Sequence, residues 1–215
     1  MIITKIVPSR FKKSMQSVYA DGKYVISLPE EAVYRLGLKE GDSYEQDEFD
    51  ALVKSQSKTI AMDSALRLIG TRSRSKKELE QRLKLKKHNK ETIDTVTGRL
   101  AELGYINDEK FAFNWANYRK SQNKGSELIK NELKAKGIDA ETIDAAVRSL
   151  YASKEEEIEH IKQCALKKLK TSAGSDPRDT SRKLLGFLAR RGFPLDRIMD
   201  ALREMKKDIT MDEEV

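Results

Sequence analysis

Four apolar positions recur along this chain at fixed offsets, and no other feature narrows its fold so far. Leu79, Leu83, Ile93 and Leu100 correspond, 50 residues on, to Ile129, Leu133, Ile143 and Leu150. A further 55 residues on, the same positions are Leu184, Leu188, Ile198 and Met205. Every one is apolar. Val96, Ala146 and Ala201 extend the match, while the neighbouring set Thr97, Val147 and Leu202 breaks it only once. The spacing is helical, and self-similarity at this period marks a tandem-repeat architecture.

Each copy reads as three helices. In the first copy they run from about Asp47 through Ile69, from Lys76 to about Lys87, and from Lys90 to about Leu103. Ser75-Lys76-Lys77-Glu78 has the Ser-x-x-Glu form of a capping box. Asn89 and Asp139 stand at equivalent helix starts, both able to hold free backbone N–H groups. Asn107-Asp108-Glu109 opens the second copy with a cap and first-turn acids. The position four after the second leucine is Lys87, then Gly137, then Gly192, and glycine there suits a helix stop with positive φ. The third copy carries an insertion around Ser172-Ala173-Gly174-Ser175-Asp176-Pro177, a loop by composition. Short amphipathic helices cannot bury an apolar face alone, so stacking of copies into an elongated, curved rod is expected.

The first fifty residues differ. Ile2 to Val7, Met15 to Ala20 and Lys23 to Leu28 are short and rich in β-branched or aromatic residues, and Asp21-Gly22 is a two-residue hairpin signal. Pro29-Glu30-Glu31 then opens a short helix ending near Leu36-Gly37. Such a module is too small to be very stable unless it packs on the first long helix. The expected class is therefore mainly all-α: a β-rich module over residues 1–46, then three-helix repeats over 47–106, 107–153 and 154–215, the last with an acidic tail. Because composition and register change near residues 47 to 58, the module is expected to be dispensable for folding of the helical body.

Charge is distributed unevenly. Residues 67–90 hold 10 basic and 2 acidic side chains, a local +8 that exceeds the +7 of the whole protein. Residues 162–191 hold 9 against 2, whereas residues 107–161 hold 9 against 11. Two positive blocks flanking an acidic middle suit a polyanion met at two places. The candidate contacts are Arg72, Arg74, Lys76, Lys77, Arg82, Lys84 and Lys86 in the first block. In the second they are Lys167, Lys168, Lys170, Arg178, Arg182, Lys183, Arg190 and Arg191. A solvated helix face is the bland alternative for each block.

The inventory for catalysis is thin. One cysteine, Cys164, and two histidines, His88 and His160, cannot furnish a four-ligand zinc site of the usual type. Neither a Walker loop nor a dinucleotide fingerprint occurs, and no apolar run approaches a bilayer span. The start, Met1-Ile2-Ile3-Thr4-Lys5, lacks the zones of a signal peptide, and a cytoplasmic protein without membrane contact is expected.

Ala65-Leu66-Arg67-Leu68-Ile69, Arg72-Ser73-Arg74-Ser75, Glu78-Leu79 and Leu83 together resemble the opening signature of the RecX family of bacterial regulatory proteins. So does Gly104-Tyr105-Ile106-Asn107-Asp108-Glu109-Lys110-Phe111-Ala112 at the joint between copies. Gly125 with Ile129, Leu133 and Lys136-Gly137-Ile138 completes the pattern, which covers roughly residues 59 to 205. The hairpin, with Asp21-Gly22-Lys23-Tyr24 and Leu38-Lys39-Glu40-Gly41, is similar to the β extension of longer members. The chain departs from the common pattern at Asn107, where aspartate is frequent, and at Lys87, which replaces the usual glycine. The resemblance implies tandem three-helix repeats and a non-enzymatic modulator, mainly an inhibitor, of the RecA recombinase. It implies a chain lodged in the groove of the RecA filament on single-stranded DNA; a monomer without cofactor or metal is expected, with double-stranded DNA bound more weakly.

Other readings compete with this one. A direct DNA binder would use the same basic lobes without a recombinase. An enzyme would need carboxylates of the acidic middle, but Asp108, Glu109, Glu127 and Glu132 read as caps and surface positions. Tyr105, Phe111 and Trp115 could stack on bases, yet their helical spacing favours the core. His160 and Cys164 share one helix face at a spacing of four, without a third ligand or activating acid.

Overall fold

A computed structural model describes residues 1–10, 14–170 and 177–212, and the side chains of 177–179 and 207–212 lie outside that description. The insertion after Lys170 also lies outside it. Three antiparallel strands, β1 (Ile3–Pro8), β2 (Met15–Ala20) and β3 (Lys23–Pro29), form a sheet in the order β1-β2-β3. Ala20 pairs with Lys23 across Asp21 and Gly22, whose φ values of 47° and 75° are both positive. That is the left-handed two-residue turn an Asp-Gly pair favours, because it matches the twist of the strands. Helix α1 (Glu30–Arg35) follows and stops before Gly37, at φ 65°.

The remaining helices come in threes: α2 (Gln46–Thr71), α3 (Lys76–Leu85) and α4 (Lys90–Glu102), then α5 (Asp108–Ser121), α6 (Ser126–Ala135) and α7 (Ala140–Arg148), then α8 (Lys154–Lys170), α9 (Pro177–Arg190) and α10 (Leu195–Asp212). All twelve repeat positions are buried, at 8% exposure or less. Among the described residues no helix is long and apolar enough to cross a membrane. The chain divides into two compact units, Met1–Arg74 with Leu79–Ile106 and Ser75–Glu78 with Asn107–Val215.

Helix starts follow the local chemistry. Thr92 N–H donates to Asn89 Oδ1 and Thr142 N–H to Asp139 Oδ1, each at 2.8 Å. Lys110 N–H donates to Asn107 Oδ1 at 2.7 Å, so asparagine caps here as aspartate would. The stops match as well. Lys87, Gly137 and Gly192 take φ of 69°, 81° and 84°. Each is followed by the same reach-back bond, His88 N–H to Leu83 O, Ile138 N–H to Leu133 O and Phe193 N–H to Leu188 O. The turn at Lys87 is thus the same turn, held at the cost of a left-handed non-glycine residue.

Why two copies need glycine is visible in unit two. A Cβ on Gly137 would fall 2.2 Å from the Lys77 Cδ, and one on Gly192 would fall 2.3 Å from the Leu128 Cβ. Each glycine turn receives the first turn of a preceding second helix. Ser75 Oγ donates to the Lys136 carbonyl at 2.6 Å, while Gly125 N–H donates to the Arg191 carbonyl at 2.8 Å and Glu127 N–H to that of Gly192 at 2.9 Å. Gly125 itself, at an ordinary backbone angle, admits no Cβ, which would lie 2.2 Å from Phe193 N. Lys87 is exposed, so its side chain meets no such crowding. In the capping box Glu78 N–H donates to Ser75 Oγ at 3.2 Å, and the Glu78 carboxylate takes the Lys136 ammonium at 2.8 Å.

The β module does pack on the long helix. Its core joins Ile3, Val18, Leu28 and Leu38 to Phe49, with Leu52, Val53 and Ile60 against it, while Ala61 and Ala65 further along α2 belong to the first-repeat core. Phe49 is 1% exposed. A chain beginning at Gln46 is therefore expected to keep the repeat cores, which use no residue of the module, but to uncover Phe49 and fray the first half of α2. Circular dichroism should show a cooperative melt with reduced helix content and sedimentation should show association; replacing Phe49 and Leu52 by Gln should remove the association. Loss of all cooperativity would mean that the repeats depend on the sheet.

Candidate polyanion interface

The first basic block splits into inward and outward members. At the end of α2, Arg74 Nε donates to the Leu68 carbonyl at 2.9 Å, and its Nη2 reaches Thr71 Oγ1 at 3.4 Å. A guanidinium at a helix C-terminus satisfies free carbonyls and suits the negative end of the dipole. Arg72 is exposed and donates from Nη1 to the Ser73 carbonyl at 2.9 Å. Lys76 and Lys77 are exposed on the first turn of α3, where the Lys77 stem lies against Gly137. Arg82, Lys84 and Lys86 are exposed, while Leu79 and Leu83 before and between them are buried. Leu85 stands among them at 73% exposure, an apolar side chain in a cationic surface that the repeat pattern does not mark.

The second block lies on α8 and α9. Lys167, Lys168, Lys170, Arg182, Lys183 and Arg190 are exposed, and the side chain of Arg178 lies outside the described residues. Arg191 is half-buried and donates from Nη1 to the carbonyls of Gln122 and Asn123 at 3.1 and 3.0 Å, so it ties down the α5–α6 turn. Its guanidinium carbon sits 4.7 Å from the centre of the Phe187 ring, and Lys168 Nζ lies 5.9 Å from that centre. Two grooves flank this ring. One is lined by Lys168, Thr180, Arg182, Lys183, Phe187 and Arg190 among others, and the second by Asn123, Cys164, Lys167, Lys168, Phe187 and Arg191.

The aromatics weighed from sequence divide. Phe111 is buried, and Trp115 packs on the second-repeat core while its Nε1–H donates to Glu132 Oε2 at 2.9 Å. Glu132 also takes the Arg119 guanidinium, and Lys136 Nζ stands 4.0 Å from the Trp115 ring centre. Tyr105, by contrast, is 58% exposed. Phe187 escapes a sequence reading because its spacing from Leu184 and Leu188 looks like core. Its nearness to Lys183, Arg190 and Arg191 along one helix is the signal available.

His160 and Cys164 do share a face, and they converge on one acceptor. Cys164 Sγ donates to Asn123 Oδ1 at 3.2 Å, His160 Nε2 lies 3.3 Å from the same oxygen, and His160 Nδ1 lies 2.8 Å from Tyr151 Oη. Burial pushes the thiol up, and burial with Lys120 and Lys167 nearby holds the imidazole below its ordinary value. Both stay neutral near pH 7. They clasp a turn whose Asn123 has φ 56°, and a neutral thiol makes a poor nucleophile.

Comparison with known proteins follows the same divisions. Models of the RecX first, second and third three-helix domains match residues 61–100, 107–147 and 155–202. The chain belongs to the RecX family. It is 31% identical to the regulatory protein RecX of Bacillus velezensis, over 94% of this chain and 76% of that one. It is 30% identical to that of Clostridium acetobutylicum, over 94% and 95%. A crystal structure of a regulatory protein RecX superposes with TM-score 0.65 at 23% identity, covering 93% of this chain and 98% of that one. RecX from Lactobacillus salivarius gives 0.64 at 24%, covering 71% and 98%. These solved structures support the fold, and the family membership supports a regulatory role.

Proposed function

We propose that this RecX protein is a non-enzymatic regulator, mainly an inhibitor, of the RecA recombinase, and that it acts from the groove of the RecA filament on single-stranded DNA. The observation that carries this reading is the exposure of cations in both basic blocks, Arg82, Lys84 and Lys86 on one side and Lys167, Lys170, Arg182 and Arg190 on the other. Cations that served only to hold the fold together would be turned inward, as Arg74 and Arg191 are. A filament of protein and DNA offers phosphates and carboxylates along its length, which suits a chain with two cationic stretches.

Direct binding of DNA without a recombinase is the second reading, favoured by the presence of an aromatic ring, Phe187, within 5.9 Å of the cationic groups of Lys168 and Arg191. A salt series separates the two. Binding to RecA filaments and to bare single-stranded DNA is measured from about 50 to 200 mM salt, over which purely phosphate-driven affinity falls by orders of magnitude. Filament binding is expected to be tighter throughout and to fall less steeply. Equal affinities and equal slopes would leave the second reading standing and remove RecA from the account.

A further inference from the structure

The two grooves of the α8–α9 face share one wall, made of Lys168 and Phe187. Their described linings contribute Lys167, Lys168, Arg182, Lys183, Arg190 and Arg191, and no carboxylate among the described residues. Such a lining selects an anion. The ring adds a second requirement. Phe187 packs only partly on the third-repeat core, where Leu184 and Leu188 at 6% and 0% exposure provide the apolar contacts of this helix. Just before it stands Gly186, in a helix interior where glycine is unfavourable, lining the first groove. Among the described residues a Cβ there would meet only the Arg190 Nη1 at 3.3 Å, so crowding by the described core does not account for the glycine. Its absent side chain leaves backbone open to close approach beside the ring.

A ligand that alternates negative charge with a flat apolar face matches this surface. Single-stranded nucleic acid has that form, since its unpaired bases are free to lie on an aromatic ring while its phosphates meet cations. Duplex DNA offers phosphates of the same charge, but its base faces are covered by their neighbours in the stack. We infer that Phe187, with Lys167, Lys168 and Arg190 around it, is a subsite for one nucleotide of a single strand, the base against the ring and the flanking phosphates on the exposed cations. The inference rests on the reading of α8–α9 as a polyanion face and adds which side chains of that face would hold a base and its flanking phosphates.

The test uses the full chain and two changes at one position. Phe187→Leu keeps an apolar side chain against the core and removes the aromatic face, whereas Phe187→Tyr keeps the face. Binding of a labelled oligothymidylate and of a duplex of equal length is followed by fluorescence anisotropy, with thymidine monophosphate as a competitor and thermal melting as the check on folding. Phe187→Leu is expected to weaken single-strand binding about tenfold while duplex binding stays within about twofold, on the scale of one lost base stack. Phe187→Tyr should bind as the parent does, and millimolar thymidine monophosphate should displace less strand from the leucine variant than from the parent. Equal losses for strand and duplex, or no loss for either, would overturn the subsite. If the parent inhibits RecA but binds no bare strand, the subsite is wrong and the proposed function survives. If the strand-selective loss is found in a chain without effect on RecA, the subsite stands and the regulatory reading falls.

Discussion

Gly125→Ala is expected to lower the unfolding free energy by about 3 kcal/mol. The new Cβ would stand 2.2 Å from Phe193 N and 2.3 Å from both the carbonyl carbon and oxygen of Gly192. All three are main-chain atoms, so no side-chain rotation relieves the overlap. The joint would have to open, and with it the bonds from Gly125 N–H to Arg191 O and from Glu127 N–H to Gly192 O. Gly192→Ala meets the same joint from the other side, where it adds a positive φ of 84° to a 2.3 Å approach to Leu128. Lys87→Gly is the matched control. It relieves a left-handed lysine at an exposed stop and should gain about 1 kcal/mol. Urea unfolding of the three variants measures these differences, and a Gly125→Ala chain as stable as the parent would show that the joint is looser than its geometry indicates.

Reversal of the exposed cations is expected to have the largest effect on binding. Arg82→Glu with Lys84→Glu alters the first block, and Lys167→Glu with Arg190→Glu alters the second. All four side chains are exposed, and none belongs to the apolar stripe. Arg74 is left alone, because its bond to the Leu68 carbonyl means that reversing it would strip the end of α2. Each pair should weaken filament binding by at least about 1 kcal/mol, the scale of charge-assisted contacts. Their combination should lose more than either, because the second contact of a tethered pair gains from effective concentration. The slope of log affinity against log salt for bare DNA should fall by about two per pair if each side chain displaces one counterion. If only the first pair matters, the third repeat is a spacer. If neither matters while inhibition persists, the contact lies in the acidic middle or the β module and the electrostatic account fails.

Much of this architecture is legible in the residues themselves. The twelve repeat positions are buried because apolar side chains at 3.6-residue spacing have one face to hide, and that face is fixed by sequence alone. Asn89, Asn107 and Asp139 cap because a short side-chain oxygen before a helix finds a free N–H three residues on. What resists a sequence reading is long-range. The carboxylate of Glu78 reads from sequence as part of a cap, yet it pairs with Lys136, which lies 58 residues away. The double service of α2, with Phe49 in one core and Ala65 in another, blurs its periodicity because its two halves turn different faces inward. Within the candidate interface, composition locates the basic blocks, but only the folded chain separates Arg74 and Arg191, spent on carbonyls, from Arg82 and Arg190 at the surface. Arg191 stands four residues after Phe187 and is a local neighbour, whereas the approach of Lys168 to that ring depends on α8 and α9 meeting, which no local pattern encodes.

Regulation of RecA is read from the rate at which RecA hydrolyses ATP on single-stranded DNA. That rate should fall in a saturable way as this chain is added, at concentrations below those at which it covers the bare strand, while the chain alone hydrolyses nothing. An unchanged rate at saturating protein would contradict the account, and ATP turnover by the isolated chain would contradict its non-enzymatic part.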